Sequence, residues 1–202
     1  MSTNIKLYSA SELRDQYPDG FENALEHWRD SQDEIFWMNE TIDSLKALIK
    51  ASGLYLRDWS LGTESYRSYI NIDWELDVAI LSGQRAMAWL ENNLLSDLRI
   101  KKNTKDYLKY NNGYIEKSLR PYSVGKIPPC PFTGYCADDT YLDSLIKDIT
   151  NGCTLEEAYN NLAGVCSRML ENDLDNQNSE EYFLDHADVN QYQFTEDGQI
   201  VW

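Results

Sequence analysis

The stretch LYLRDWSLGTESYRSYINIDW, residues 54–74, decides the fold that we predict for this chain. Apolar and polar residues alternate over 66–74, which is the period of a β-strand with one buried face. In the preceding segment, 54–61, the apolar side changes parity at Arg57 and Asp58, so that Trp59 and Leu61 face the core, which predicts a β-bulge. The intervening residues, GTES, are typical of a hairpin loop. The stretch therefore predicts an antiparallel hairpin.

Helical patterns precede and follow the hairpin, and they supply the cover that a marginally stable two-stranded hairpin needs. Ser9 with Glu12, and Thr154 with Glu157, are capping-box pairs that open two of these helices. Elsewhere apolar residues recur at spacings of three and four, the period of an amphipathic helix. Helices are predicted over residues 9–17, 19–30, 32–52, 82–94, 138–151, 154–176 and 180–188.

Two short strands are predicted at the C-terminus, over residues 192–194 and 199–202, joined by an Asp-Gly turn. We expect them to lie beside the central hairpin, because an isolated pair would leave its aromatic and apolar side chains in water. The predicted architecture is α+β. It is a single domain over residues 1–202, in which helices cover a small antiparallel sheet made of the hairpin 54–74 and the C-terminal strands.

The chain of 202 residues carries 34 acidic and 18 basic residues, a net charge of −16. Its 14 Tyr and 6 Trp indicate a folded protein, because disordered chains lack aromatic residues. The surplus of carboxylates argues against direct binding to nucleic acid or to an anionic membrane and favours a basic partner. Residues 99–126 form a basic, Tyr-rich block of the kind that stacks on single-stranded nucleic acid. We instead expect this block to pair with the acidic C-terminal third of the chain.

No apolar run approaches the length of a membrane-spanning helix, and the first residues lack the apolar core of a signal peptide. We therefore expect a cytoplasmic protein. The cysteines match neither a disulfide-rich module nor a paired zinc motif. We expect reduced, structural thiols at Cys130, Cys136, Cys153 and Cys166.

The residues favour a binding protein over an enzyme. The two histidines, His27 and His186, lie in acidic helical segments, and no nucleophile motif or glycine-rich nucleotide-binding motif accompanies them. Asp138 and Asp139, with Asp143 one turn later, offer the oxygen ligands that Mg²⁺ prefers. Carboxylates at a helix start more commonly favour the helix dipole, so neither a metal nor a cofactor is predicted.

A row of acidic residues is usually a solvated helix face. A surplus this large is also what a protein that occupies a nucleic-acid-binding groove would display, with carboxylates in place of phosphates. The predicted partner-binding residues are Glu22, Glu26, Asp30, Asp33, Glu34, Asp138, Asp139 and Asp143.

Four segments carry a resemblance: WMNETIDSLK at 37–46, LRDWSLG at 56–62, CPFTGYC at 130–136 and QFTEDG at 193–198. Together they resemble an uncharacterised family of small acidic tailed-phage proteins, sometimes labelled antitoxin-like. The resemblance extends over most of the chain and brings no catalytic residues with it. It implies a phage context, in which small acidic proteins often bind and block a host protein.

The leading hypothesis is a phage-encoded inhibitor of a host defence or nucleic-acid-handling protein, of the anti-restriction or anti-CRISPR kind. It would act in the cytoplasm of the infected bacterium by stoichiometric, charge-assisted contact, with exposed Tyr and Trp as anchors. One alternative is an enzyme that depends on a small ligand or a metal, with a site that the sequence does not reveal. Another is an antitoxin-type module that neutralises a toxin.

Overall fold

The computed structural model describes residues 6–31, 35–98 and 127–201. The basic block 99–126 and the end of the last predicted strand, Trp202, lie outside these residues. The described α-helices and strands are α1 (Ala10–Gln16), α2 (Pro18–Ser31), α3 (Ile35–Ala51), β1 (Tyr55–Ser60), β2 (Tyr69–Asp73), α4 (Leu76–Ala79), α5 (Gly83–Leu90), α6 (Ser96–Leu98), α7 (Ala137–Thr150), α8 (Leu155–Gln177), α9 (Glu180–Val189), β3 (Gln193–Phe194) and β4 (Ile200–Val201). A π-helical segment, Glu91–Leu95, joins α5 to α6. The predicted α+β class is confirmed, and the described part of the chain is mostly helical.

The central hairpin is the antiparallel pair β1 and β2, and its register shifts between Leu56 and Asp58. The extra residue is Arg57, so the predicted bulge is confirmed. Strand β2 buries Ile70 and Ile72, as its alternating pattern predicts.

The strand begins later than its alternation predicts, because residues Ser65–Arg67 form a 3-10 turn. The Ser68 hydroxyl accepts a hydrogen bond from the Gly62 N–H and donates to the Gly62 and Glu64 carbonyls, which draws the loop into a compact turn. Tyr66, predicted to face the core, is instead 78% exposed.

The chain divides into two compact units, which we call unit 1 (Met1–Trp37 with Leu170–Trp202) and unit 2 (Met38–Met169). The central hairpin belongs to unit 2, and β3 and β4 belong to unit 1, where they form a second two-stranded sheet. The prediction of one sheet is therefore wrong, because the hairpin and the C-terminal strands form two different sheets. The Phe194 N–H donates to the Tyr8 carbonyl, and the Tyr8 N–H donates to the Phe194 carbonyl, each over 2.9 Å. The C-terminal strand therefore has a partner from the N-terminal part of the chain. The single-domain organisation stays a prediction.

Unit 1 has an aromatic core centred on Phe183 of α9. The Phe183 ring centroid lies 5.7 Å from that of Phe21, 5.8 Å from that of Trp28 and 6.0 Å from that of Phe194. These residues come from α2, α9 and β3, so the core ties the two ends of the chain together.

Unit 2 buries apolar side chains of α3, α7 and α8 around two buried tyrosines. The Tyr141 hydroxyl donates to the Thr41 carbonyl over 3.2 Å, and the Tyr159 hydroxyl donates to the Ser52 hydroxyl over 2.5 Å. Both hydroxyls therefore have the hydrogen-bond partner that burial requires. Among the described residues, no helix combines the length and the apolar character needed to cross a membrane.

Candidate protein-binding surface

Helix α2 presents three of the predicted partner-binding residues to solvent. It begins at Pro18, whose fixed φ suits the first helical position, and it turns Phe21, Leu25 and Trp28 into the core of unit 1. The exposed residues Glu22, Glu26 and Asp30 lie on another face. Because they recur every fourth residue, they form one row with a carboxylate about every 6 Å along the helix axis.

A groove of about 700 Å³ adjoins this acidic row in unit 1. Its α2 wall includes Asn23, His27 and Ser31, the row next to the acidic one on the helix surface. The remaining lining residues are Trp28, Tyr192, Asp197, Gly198, Gln199 and Ile200. The described lining thus combines the rings of Trp28 and Tyr192 with polar groups and one carboxylate, and it includes no lysine or arginine.

The two histidines have different surroundings in unit 1. His27 lines the groove, whereas His186 packs edge-on to the Trp28 ring with centroids 4.5 Å apart. The Nδ1 of His186 is also 3.0 Å from the side-chain nitrogen of Asn190. His186 therefore supports the aromatic floor of the groove.

The negative charge of the chain is concentrated in unit 1. Unit 1 holds 3 basic and 17 acidic residues, a net charge of −14, whereas unit 2 holds 15 basic and 17 acidic residues, a net charge of −2. Arg14 pairs with Asp15 over 3.6 Å and with Glu180 over 3.3 Å. Three cations cannot neutralise seventeen carboxylates, so unit 1 carries a strong negative field.

Helix α9 adds a second acidic face to unit 1. Glu181, Asp185 and Asp188 are exposed and share one side of the helix, while Phe183 faces the core. Val189, at the end of α9, is 80% exposed. These α9 carboxylates are not among the predicted partner-binding residues, although the sequence places them in the acidic last third of the chain and their spacing of four and three residues is a helical signal.

The prediction that Asp138 binds a partner is wrong, because its side chain is fully buried. Its carboxylate accepts hydrogen bonds from the backbone N–H groups of Phe132 (2.8 Å), Thr133 (2.7 Å) and Gly134 (3.2 Å), and from the Thr133 hydroxyl (3.0 Å). Burial alone would raise the pKa of this carboxyl, but the hydrogen bonds outweigh it and lower the pKa. Asp138 anchors the loop before α7 and has no oxygen to offer a partner.

The remaining predicted partner-binding residues differ in their exposure. Asp139 is half-buried and accepts a hydrogen bond from the Cys130 N–H over 3.0 Å, while Asp143 is exposed. Asp33 and Glu34 lie outside the described residues. Asp138 and Asp139 lie in the first turn of α7, whose N-cap residue is Cys136, and both carboxylates accept hydrogen bonds from the preceding loop.

A magnesium site would need several carboxylates gathered around one ion. Within residues 6–31, 35–98 and 127–201, no group of three or more His, Cys, Asp or Glu side chains is arranged to hold a metal ion. Cys166 is buried, as a structural thiol should be, and Cys153 is half-buried. Cys130 is half-buried and Cys136 is exposed, so these two are not core residues.

Among the described residues, the exposed aromatic side chains lie mainly on the hairpin, which belongs to unit 2. Tyr55 is 69% exposed, and Trp59 and Tyr69 are also exposed. The Tyr69 hydroxyl donates to the Asp58 carboxylate over 2.9 Å, and the Lys46 ammonium lies 4.1 Å from the Trp59 ring centroid. The hairpin therefore offers a second candidate surface, and Trp59, predicted to face the core, belongs to it.

Comparison of the chain with protein-family models, with curated proteins and with solved structures gave no match. The resemblance to small acidic tailed-phage proteins therefore stays a prediction.

Proposed function

We propose that this protein acts by stoichiometric binding of a basic protein, with unit 1 as the docking surface. The observation that carries the proposal is the division of charge: unit 1 has a net charge of −14 and unit 2 of −2. A field of one sign on one compact unit attracts and orients a cationic partner before contact.

The acidic row and the groove give this attraction a contact geometry. Glu22, Glu26 and Asp30 form a line of exposed acceptors for lysine and arginine side chains. The adjoining groove combines the rings of Trp28 and Tyr192 with further polar groups. An arginine side chain suits such a groove, because its stem packs on apolar surface and its guanidinium stacks on aromatic rings.

A partner that normally binds nucleic acid fits this surface best, since its cationic groove already recognises lines of negative charge. The protein would then be a nucleic-acid mimic. Inhibition of a host defence or nucleic-acid-handling protein by a phage-encoded chain is the setting that we propose for it, in the bacterial cytoplasm. The exposed aromatic residues of the hairpin are the expected second contact.

The deciding experiment neutralises the acidic row. The triple variant Glu22→Gln, Glu26→Gln, Asp30→Asn is immobilised beside the wild type, and basic proteins captured from bacterial lysate at low ionic strength are quantified by mass spectrometry. We expect the variant to lose the partner that the wild type retains. Raising the salt concentration should release the same partner from the wild type, because exposed charge pairs are screened.

A matched control removes the same number of charges from unit 2. Asp77, Asp97 and Glu156 are exposed there, so Asp77→Asn, Asp97→Asn, Glu156→Gln gives a chain of equal net charge. This control should bind like the wild type. Equal losses in both triple variants, or retention in both, would refute unit 1 as the docking surface.

A competition experiment tests the mimicry. Once a captured partner is purified, duplex DNA and the protein are added together. A mimic and DNA exclude each other, so we expect DNA to displace the protein. A stable ternary complex would show that the protein binds elsewhere on its partner.

The enzyme alternative makes a different prediction. A ligand that binds only the folded state raises the melting temperature. Thermal shifts with divalent ions and nucleotides, in the absence of any protein partner, would favour that alternative.

A further inference from the structure

The groove of unit 1 has a carboxylate that does not belong to the acidic row on α2. Asp197 is exposed in the turn between β3 and β4, and it lines the groove together with Trp28 and Tyr192. It is not among the predicted partner-binding residues. The groove, which has a volume of about 700 Å³, therefore carries a negative group of its own.

Hydrogen bonds within the turn fix the position of Asp197. The Thr195 hydroxyl donates to the Asp197 Oδ1. The Gly198 N–H donates to the Thr195 carbonyl, and the Thr195 N–H donates to the Gln199 carbonyl, each over 3.0 Å. Within the described part of the chain, the Asp197 Oδ2 has no hydrogen-bond partner. One carboxylate oxygen thus holds the turn, and the other can accept a hydrogen bond from a ligand.

Helix α2 holds this turn in place. The side-chain nitrogen of Asn23 donates to the backbone carbonyl of Asp197 over 3.4 Å. A Cβ added at Gly198 would lie 2.1 Å from the Gly20 carbonyl oxygen, so the two backbones are in direct contact. The Asp197 carboxylate therefore has a defined position relative to α2. The side-chain oxygen of Asn23 adds a second acceptor to the wall of the groove.

None of the three basic residues of unit 1 belongs to the described lining of the groove. The Lys6 ammonium lies 4.8 Å from the ring centroid of Tyr8. Arg14 pairs with Glu180, and the Nε of Arg29 donates to a backbone carbonyl over 2.9 Å. Because these cations have other contacts, the negative charge of the groove is not compensated locally, and the groove attracts a cation.

The chemistry of the lining favours a guanidinium over an ammonium group. The ring of Tyr192 is half-buried, so part of it is open to the groove beside the Asp197 carboxylate. A guanidinium is planar and weakly hydrated, and it stacks on an aromatic ring while its N–H groups bind a carboxylate. A lysine ammonium is a compact, strongly hydrated charge, so it gains less from a ring next to a carboxylate.

We propose that the groove is an arginine-binding site, in which Asp197 is the counter-ion and one arginine side chain of the basic partner is the ligand. This inference rests on the proposed function and names the side chain that the docking surface selects. The acidic row attracts any cationic surface, whereas the groove distinguishes arginine from lysine.

The test titrates the full chain, labelled with ¹⁵N, with peptides of the form acetyl-Gly-X-Gly-amide in which X is arginine, lysine or citrulline. Citrulline has the length and shape of arginine without its charge. We expect the arginine peptide to shift the backbone N–H signals of residues 197–199 in a saturable way. The lysine peptide should bind about fivefold more weakly or worse, and the citrulline peptide should not bind. Equal affinities for any two peptides, or shifts confined to the acidic row, would overturn the proposal.

Asp197→Asn is the matched variant. Asparagine keeps an Oδ1 that accepts the Thr195 hydrogen bond, and Asn-Gly suits a tight turn as well as Asp-Gly does. Affinity for the arginine peptide should fall by about tenfold. The control Asp188→Asn removes the same charge from an exposed position on α9 and should bind like the wild type. Equal affinities for the two variants would show that Asp197 is not the counter-ion.

Capture from lysate separates this inference from the proposed function. If Asp197→Asn retains the partner as the wild type does, while neutralisation of the acidic row releases it, the arginine site is wrong and the docking surface stands. If the wild type binds the arginine peptide but captures no partner, the arginine site stands and the proposed function is wrong.

Discussion

Gly20 and Gly198 lie backbone against backbone in unit 1. A Cβ at Gly20 would overlap the carbonyl oxygen of Glu196, and a Cβ at Gly198 would overlap the carbonyl oxygen of Gly20. The first turn of α2 therefore packs directly on the turn between β3 and β4. This contact helps to shape the groove, because Gly198 belongs to its lining.

The first prediction is that Gly20→Ala destabilises the protein by about 2 kcal/mol, since the added methyl group has backbone on its far side and must displace it. Gly198→Ala should cost more, because its φ of 88° is also unfavourable for alanine. Thermal unfolding followed by circular dichroism measures both. Gly62→Ala is the control, as a Cβ there meets nothing within 4 Å and the change should be close to neutral. Equal melting temperatures for Gly20→Ala and Gly62→Ala would contradict the packing.

The second prediction concerns Asp138. Asp138→Asn keeps the shape of the side chain but puts an NH₂ group among N–H donors, so we expect a loss of about 2 kcal/mol in the free energy of unfolding. Asp143→Asn, on the exposed side of α7, should leave stability unchanged. Chemical denaturation compares the two. Equal stabilities would show that the loop does not depend on the carboxylate.

The same carboxylate predicts a pH dependence. Although burial raises the pKa of Asp138, its hydrogen bonds lower it below the ordinary value of 3.8. The stabilisation is therefore present above pH 3.8 and is lost as the pH falls through the lower pKa of the folded state. Asp138→Asn should flatten this part of the stability profile. An acid transition unchanged by the substitution would assign it to other carboxylates.

Local signals explain which parts of the fold the sequence predicts. The capping boxes at Ser9 and Thr154 form as expected, because each needs only a side chain and a backbone N–H three residues apart. The bulge at Arg57 follows from a parity change within one strand. Gly53 ends α3 with a φ of 73°, as a glycine after a helical pattern indicates.

Non-local contacts explain the features that the sequence does not predict. The bridge between Tyr8 and Phe194 joins residues from the two ends of the chain, and no local sequence pattern predicts such a pair. Asp138 looks like a surface carboxylate because its donors are backbone N–H groups, which carry no signal in side-chain spacing. For the candidate surface, the row on α2 was predictable from helical spacing, whereas the groove depends on Gly198 reaching α2 from the C-terminal turn.

The third prediction is an alkaline transition in unit 2. Burial raises the pKa of Tyr159, although its hydrogen bond with Ser52 partly opposes the rise, and burial likewise raises the pKa of Tyr141. The stabilisation from the neutral phenols is complete below their unfolded value of 10.0 and is lost as the pH rises towards the higher folded values. Tyr159→Phe should move alkaline unfolding to higher pH, and Tyr55→Phe, at an exposed position, should not. A common midpoint for both variants would contradict this assignment.

The fourth prediction separates binding from stability on the acidic row. Glu22, Glu26 and Asp30 are like charges at four-residue spacing, which destabilises a helix. Glu26→Lys replaces two repulsions by two attractions, so its melting temperature at low salt should exceed that of the wild type. The same substitution places a positive charge in the centre of the proposed docking row, and affinity for a basic partner should fall by about tenfold or more. Opposite changes in melting temperature and affinity are expected of a surface that is kept acidic for binding. If the melting temperature rises while affinity is unchanged, the row is only a solvated helix face, and the docking surface must be sought on the α9 carboxylates.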